Sequence, residues 1–214
     1  MLDPTDPLLP AVRELYERAL DPEERIPWVW LERSFGADRT NRHLVVASEH
    51  GSLAGFCFAL YLPGYGGYVS YVATGERFRR RGVGAKLLEH AFELLAGDAR
   101  GAGEALPFVI WESREPEAEG DREMWEARRN LFDGVGGRAI EGVTLHSPNW
   151  NGDALPGVPL KLFLKPCDGI AFDGERTRSA VDGLLRRVYR SAPGDAAYDR
   201  TLTPGCQPEL ERIS

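Results

Sequence analysis

The chain has 214 residues, a formal net charge of −7 and 43% hydrophobic and 28% charged residues, with a pI near 5.2. That length makes one domain, or one domain with extensions, and is enough to bury a real core. The acidic total excludes a nucleic-acid binder that works by overall electrostatics, so any basic site must be local. Cys57, Cys167 and Cys206 are odd in number and widely spaced, which argues for reduced thiols in a cytoplasm and against a disulfide framework or zinc knuckle. The opening MLDPTDPLLP has no basic n-region or long apolar core, so no signal peptide is expected. No run reaches the roughly 18 apolar residues of a membrane span, and no membrane partner is expected. His43, His50, His90 and His146 show no ligand spacing, so no metal is expected.

In chain order, Pro10 opens a helical pattern with Val12, Leu15, Tyr16, Ala19 and Leu20 at three- and four-residue steps, and Pro22 ends it. A second helix after Pro27 carries Val29, Trp30, Leu31 and Phe35. HLVVAS (43–48) and LAGFCFALY (53–61) read as strands joined by His50-Gly51-Ser52. YVSYVA (68–73) is a third strand after a Pro/Gly/Tyr loop. An amphipathic helix runs from Val83 to Leu95, with Leu87, Leu88, Ala91, Leu94 and Leu95 on one face. FVIWE (108–112) is a short strand and 122–132 a helix. Two last strands, 138–145 and 160–164, flank a Pro/Gly/Asn-rich loop, and 175–190 forms a final helix. The last twenty or so residues, with Pro193, Gly194, Pro204 and Gly205, read as a loosely ordered tail. The elements mix as an α+β sheet with helices on both faces.

The strongest local signal is ERFRRRGVG, Glu76–Gly84, between the third strand and the amphipathic helix. Four guanidiniums so close repel one another unless something negative lies among them. A helix start offers N–H groups without internal partners and a positive dipole end. Gly82 and Gly84 have no side chain to hold a pyrophosphate away from those groups, and Arg79, Arg80 and Arg81 add charge-assisted hydrogen bonds. The spacing departs from the Walker loop and from G-x-G-x-x-G. The alternative is a solvated basic turn.

Arg79-Arg80-Arg81-Gly82-Val83-Gly84 resembles the acetyl-CoA signature Gln/Arg-x-x-Gly-x-Gly/Ala of the GNAT (Gcn5-related N-acetyltransferase) superfamily. The order of elements over about residues 8–165 is similar to that fold as well. The resemblance implies a mostly antiparallel central sheet flanked by helices in a GNAT-like domain 1–165, with residues 166–214 as an extra C-terminal helix and tail on or extending it. It implies acetyl-CoA as co-substrate, bound by Arg79, Arg80, Arg81, Gly82, Val83 and Gly84. The preceding Val72-Ala73-Thr74 would offer backbone groups to the thioester and pantetheine arm, one N–H acting as an oxyanion hole. Glu76 stands where many relatives have proline.

An amine acceptor is mostly protonated at neutral pH and needs a base. Glu112 ends a segment similar to the strand that carries the base of ribosomal-protein N-terminal acetyltransferases, and the resemblance assigns it that role; an exposed strand-end glutamate is the alternative. The family's proton-donating tyrosine falls on Phe132, which cannot donate, leaving solvent or another group such as Tyr65, Tyr68 or Tyr71. Arg129 and Asn130 could touch the CoA arm or simply lie at the surface. Trp28, Trp30, His146, Asn149 and Trp150 are candidate walls for the acceptor, or core and rim residues. The expected function is transfer of an acetyl group from acetyl-CoA to a primary amine of a small molecule or peptide, a cationic acceptor suiting the acidic surface. The competing reading is a non-catalytic acyl-CoA-binding regulator. No nucleic-acid partner is expected, and a homodimer is compatible with the sequence.

Overall fold

The computed structural model describes residues 6–34, 40–116, 122–148, 150 and 158–211. The chain is α+β, with a mostly antiparallel sheet. It divides into two compact units, Met1–Leu106 and Pro107–Ser214.

In the first unit, α1 (Leu9–Ala19) buries Leu9, Val12, Leu15 and Tyr16, the positions set by its three- and four-residue steps. A 3₁₀ turn (Pro22–Glu24) and α2 (Trp28–Ser34) follow. Strands β1 (Arg42–Glu49), β2 (Ser52–Leu62) and β3 (Gly66–Thr74) form an antiparallel meander. His50 and Gly51 join β1 to β2 with φ of 49° and 76°. Positive φ at both central residues is what a two-residue hairpin turn requires of its right-handed twist.

Alternation along β1 sorts side chains to two faces. Leu44 joins Phe56, Phe58 and Ala73 in the cluster under α1, where the Tyr16 ring lies 5.1 Å from Tyr71. His43, on the other face, has Nε2 2.6 Å from Asp98 of α3 (Val83–Gly101). That helix buries Leu87, Leu88, Ala91 and Leu95 at 2% exposure or less. Each such leucine contributes about 1.5–3 kcal/mol of burial.

In the second unit, β7 (Val158–Pro166) is the organising strand. It pairs with β4 (Phe108–Ser113), with β5 (Arg138–Glu141) and with β6 (Leu145–Ser147). Helices α4 (Arg122–Gly134), α5 (Gly174–Arg187) and α6 (Ala196–Thr201) and strand β8 (Glu209–Leu210) complete it. The expected single strand 138–145 is broken between β5 and β6. Gly142 sits there at φ 74°, and a Cβ on it would lie 2.7 Å from the Gln207 carbonyl oxygen.

The segment after α5 is more structured than its composition suggests. Tyr198, Thr201 and Leu202 are buried. The Tyr198 phenol donates to Asp182 of α5, the His146 N–H donates to Thr201 Oγ1 at 3.0 Å, and β8 pairs with β5. Pro193, Gly194, Pro204 and Gly205 are the turns between short elements, Gly194 and Gly205 taking φ of 98° and 84°.

Candidate active site

In the first unit, the candidate cofactor-binding residues sit where β3 runs out. Val72, Ala73 and Thr74 pair with Cys57, Phe56 and Gly55 of β2. Gly55 permits this closeness, because a Cβ there would lie 2.6 Å from the Ala73 carbonyl oxygen. A 3₁₀ turn, Glu76–Phe78, then carries the chain off the sheet, pinned by the buried Phe78. Arg80 and Gly82 take φ of 59° and 76°, and α3 starts at Val83.

The start of α3 has no side-chain cap and no acidic residue in its first turn. Its leading N–H groups and dipole therefore meet neither a capping side chain nor a first-turn carboxylate of the helix. Nothing lies within 4 Å of the position a Gly82 Cβ would take, so the approach to the turn is open. Such a helix start fits a pyrophosphate.

The basic cluster is divided. Arg81 donates to both carboxylate oxygens of Glu49, at 3.0 and 2.7 Å. That hydrogen bonding holds the Glu49 carboxyl below the usual carboxylate range, with the charges of Arg81 and Arg77 acting the same way. The Arg77 guanidinium lies 4.6 Å from the centre of the Phe78 ring. Arg79 and Arg80 are exposed on the turn itself. Glu49 is thus the negative partner this crowded stretch requires, and it comes from the end of β1, 32 residues earlier.

In the second unit, Glu112 lies on β4 opposite Leu162 of β7 and is half-buried. Its Oε1 accepts a hydrogen bond from the Tyr189 hydroxyl at 2.8 Å. Tyr189 follows the end of α5, is 7% exposed, and stacks on Trp150 with ring centres 6.2 Å apart. No local signal in the sequence links residues 112 and 189.

Phe132 is buried at 2% exposure, 4.8 Å from Phe163 and 5.5 Å from Trp111 between ring centres. It is a packing residue. Arg129 donates to both oxygens of Glu211 at 2.9 Å, an ion pair within the unit, and Asn130 is exposed.

The other candidates separate. Trp28 packs against Tyr16 at 5.7 Å, whereas Trp30 is 45% exposed. Tyr68 is buried, and the Tyr71 hydroxyl accepts from the Ile26 N–H and donates to the Glu24 carbonyl, each at 3.1 Å. Tyr71 therefore fastens the segment between α1 and α2. His146 lies on β6, its imidazole held below the ordinary histidine range by burial and then by the charge of Arg200. Asn149 lies outside the described residues. Among the described residues no group of three or more His, Cys, Asp or Glu is placed to hold a metal ion. No helix there is long and apolar enough to cross a membrane.

The family model described as Acetyltransferase (GNAT) family matches residues 9–116, from α1 through β4. The chain belongs to the GNAT acetyltransferase family. Solved GNAT structures share its fold. A protein described as an acetyltransferase from the GNAT family of Bacteroides thetaiotaomicron is 20% identical with a TM-score of 0.62, over 86% of this chain and 92% of that one. The ribosomal-protein-S18-alanine N-acetyltransferase of Escherichia coli is 17% identical with a TM-score of 0.53, over 80% and 96%. Ard1 from Thermoplasma volcanium is 19% identical with a TM-score of 0.52, over 80% and 95%. No curated protein sequence matches this GNAT chain. Tyr189 and Trp150 lie beyond the residues that the GNAT model matches.

Proposed function

We propose that this chain is an acyl-CoA-dependent N-acyltransferase that moves an acetyl group from acetyl-CoA directly to a primary amine of a small molecule or peptide. The observation that carries this reading is the uncapped start of α3, with Gly82 open and arginines on the turn before it. Acetyl-CoA supplies an activated thioester carbonyl. In this reading the N–H groups at Val83 and Gly84, with Arg79, Arg80 and Arg81, hold its phosphates, and Arg81 is shared with Glu49. A backbone N–H of Val72-Ala73-Thr74 hydrogen-bonds the carbonyl oxygen as negative charge develops on it.

Glu112 takes one proton from the acceptor ammonium. The neutral amine then adds to the carbonyl carbon, the C–N bond forming; the nitrogen of the adduct gives up its second proton to solvent as the C–S bond breaks, and the leaving thiolate takes a proton from solvent. Phe132 takes no part. No metal is required, because the thioester is already activated. The net charge of −7 favours a cationic acceptor. Three free thiols suit a reducing cytoplasm. Residues 1–165 would form the acetyltransferase domain and 166–214 its C-terminal extension.

The test is thiol release from acetyl-CoA against small amines, aminoglycosides and peptide N-termini, with and without EDTA. Turnover with one class and indifference to EDTA support the reading. The buried phenylalanine at position 132 favours one alternative, an acyl-CoA-binding regulator without turnover. CoA binding by calorimetry with no thiol release from any acceptor would establish that alternative instead.

A further inference from the structure

We propose that Tyr189, delivered by the end of α5, is a positioning residue for the candidate base Glu112, so that the segment after residue 165 is part of the catalytic apparatus. The inference rests on the assignment of Glu112 under the proposed function. Its hydroxyl donates to Glu112 Oε1 at 2.8 Å. A donor at that distance fixes the plane of the carboxylate and favours its ionised form.

Tyr189 is itself held from three directions. Ala180, Val181, Leu184 and Leu185 of α5 are at most 2% exposed, which anchors the helix. Arg190 then takes φ of 54° and the Ser191 N–H reaches the Leu185 carbonyl at 2.9 Å, which turns the chain directly after the tyrosine. Trp150 stacks on the ring. A side chain held this firmly, with its one polar atom on a carboxylate, orients that carboxylate.

The charged residues on the elements around Glu112 have their own places. Arg128 of α4 donates to Ser113 Oγ and to the Arg114 carbonyl, Lys161 of β7 pairs with Glu141, and Arg187 ends α5 exposed. Tyr189→Phe leaves all of them, and the ring stack, in place, so its effect reads the hydroxyl alone.

The experiment measures kcat and kcat/KM from pH 5.5 to 9.5 for the full chain, Tyr189→Phe, Glu112→Gln and the double variant, with folding checked by circular dichroism. Tyr189→Phe should lower kcat about tenfold, leave KM for acetyl-CoA unchanged, and move the acidic limb of the profile up by about one pH unit. In the Glu112→Gln background it should cost nothing more. A second probe, 3-fluorotyrosine at position 189, keeps the fold and strengthens the donor, and should move that limb the opposite way. A Tyr189→Phe enzyme with the parent limb and rate, or losses that simply add in the double variant, would overturn the inference. Full activity in Glu112→Gln would instead remove the base assignment itself, and this inference with it.

Discussion

Arg81 and Glu49 meet through two parallel hydrogen bonds, at 3.0 and 2.7 Å, across the turn that leads into α3. The pair keeps one arginine of a crowded basic stretch occupied before any ligand arrives. Glu49→Gln removes the competing charge, and CoA affinity at neutral pH should rise about two- to fivefold, a surface-pair effect. Its salt dependence should steepen as Arg81 turns to the ligand. Because the Glu49 carboxyl lies below the usual range, the pair is complete at neutral pH and is lost only as pH falls through that lowered value. Calorimetry at two salt concentrations decides it; weaker CoA binding in Glu49→Gln would show that the pair supports the site.

Gly82 offers a way to separate backbone strain from ligand clash. Its φ is 76° and nothing lies within 4 Å of a Cβ there. Gly82→Ala should therefore cost only the left-handed penalty, about 1–2 kcal/mol of stability, read as a lower urea midpoint. Gly82→Glu should carry a similar stability cost and in addition abolish CoA binding. Unchanged CoA affinity in a folded Gly82→Glu protein would remove the proposed cradle.

For the base, Glu112→Gln keeps shape but cannot take a proton, and a loss of roughly 10²–10⁴-fold in rate is expected with acyl-CoA affinity nearly intact. The acidic limb should vanish with it. Phe132→Ala, by contrast, should act on stability. Removing a ring packed against Trp111 and Phe163 should cost about 3–5 kcal/mol, with the alkaline limb unmoved. An alkaline limb that shifts in a folded Phe132→Ala protein would contradict the packing role.

His146 ties stability to pH. Burial, then Arg200, lowers its affinity for a proton in the folded state. The unfolded chain therefore binds the proton first as pH falls below about 6.5, and stability is lost from there until the folded value is passed. Denaturant midpoints at pH 7.5 and 5.5 should differ more in the parent than in His146→Gln. Equal differences would place the pH dependence elsewhere.

The elements that the sequence announces are those with a local cause. The leucine spacing of α3 and the alternation of β1 to β3 carry their own burial pattern, and the helix continues to Gly101 along the same face. The signature turn was legible because it is contiguous. What escaped is non-local. Glu49 stands 32 residues from Arg81, and Tyr189 stands 77 from Glu112. No periodicity encodes a pairing of that separation. The segment after α5 escaped for another reason: its prolines and glycines are turn residues between elements of two and six residues, too short to show a period. That position 132 holds a phenylalanine was visible, but its packing against Trp111 and Phe163 was not.

The pairing of β8 with β5 sets an order of events during synthesis. A ribosome completes Arg138–Glu141 long before it reaches Glu209 and Leu210. At about 5–20 residues per second, the interval is several seconds. Throughout it the β5 backbone on that side has no strand to bond, the condition in which strand edges recruit foreign chains. Only when Glu209 and Leu210 emerge can that short edge of β5 be closed by the chain itself.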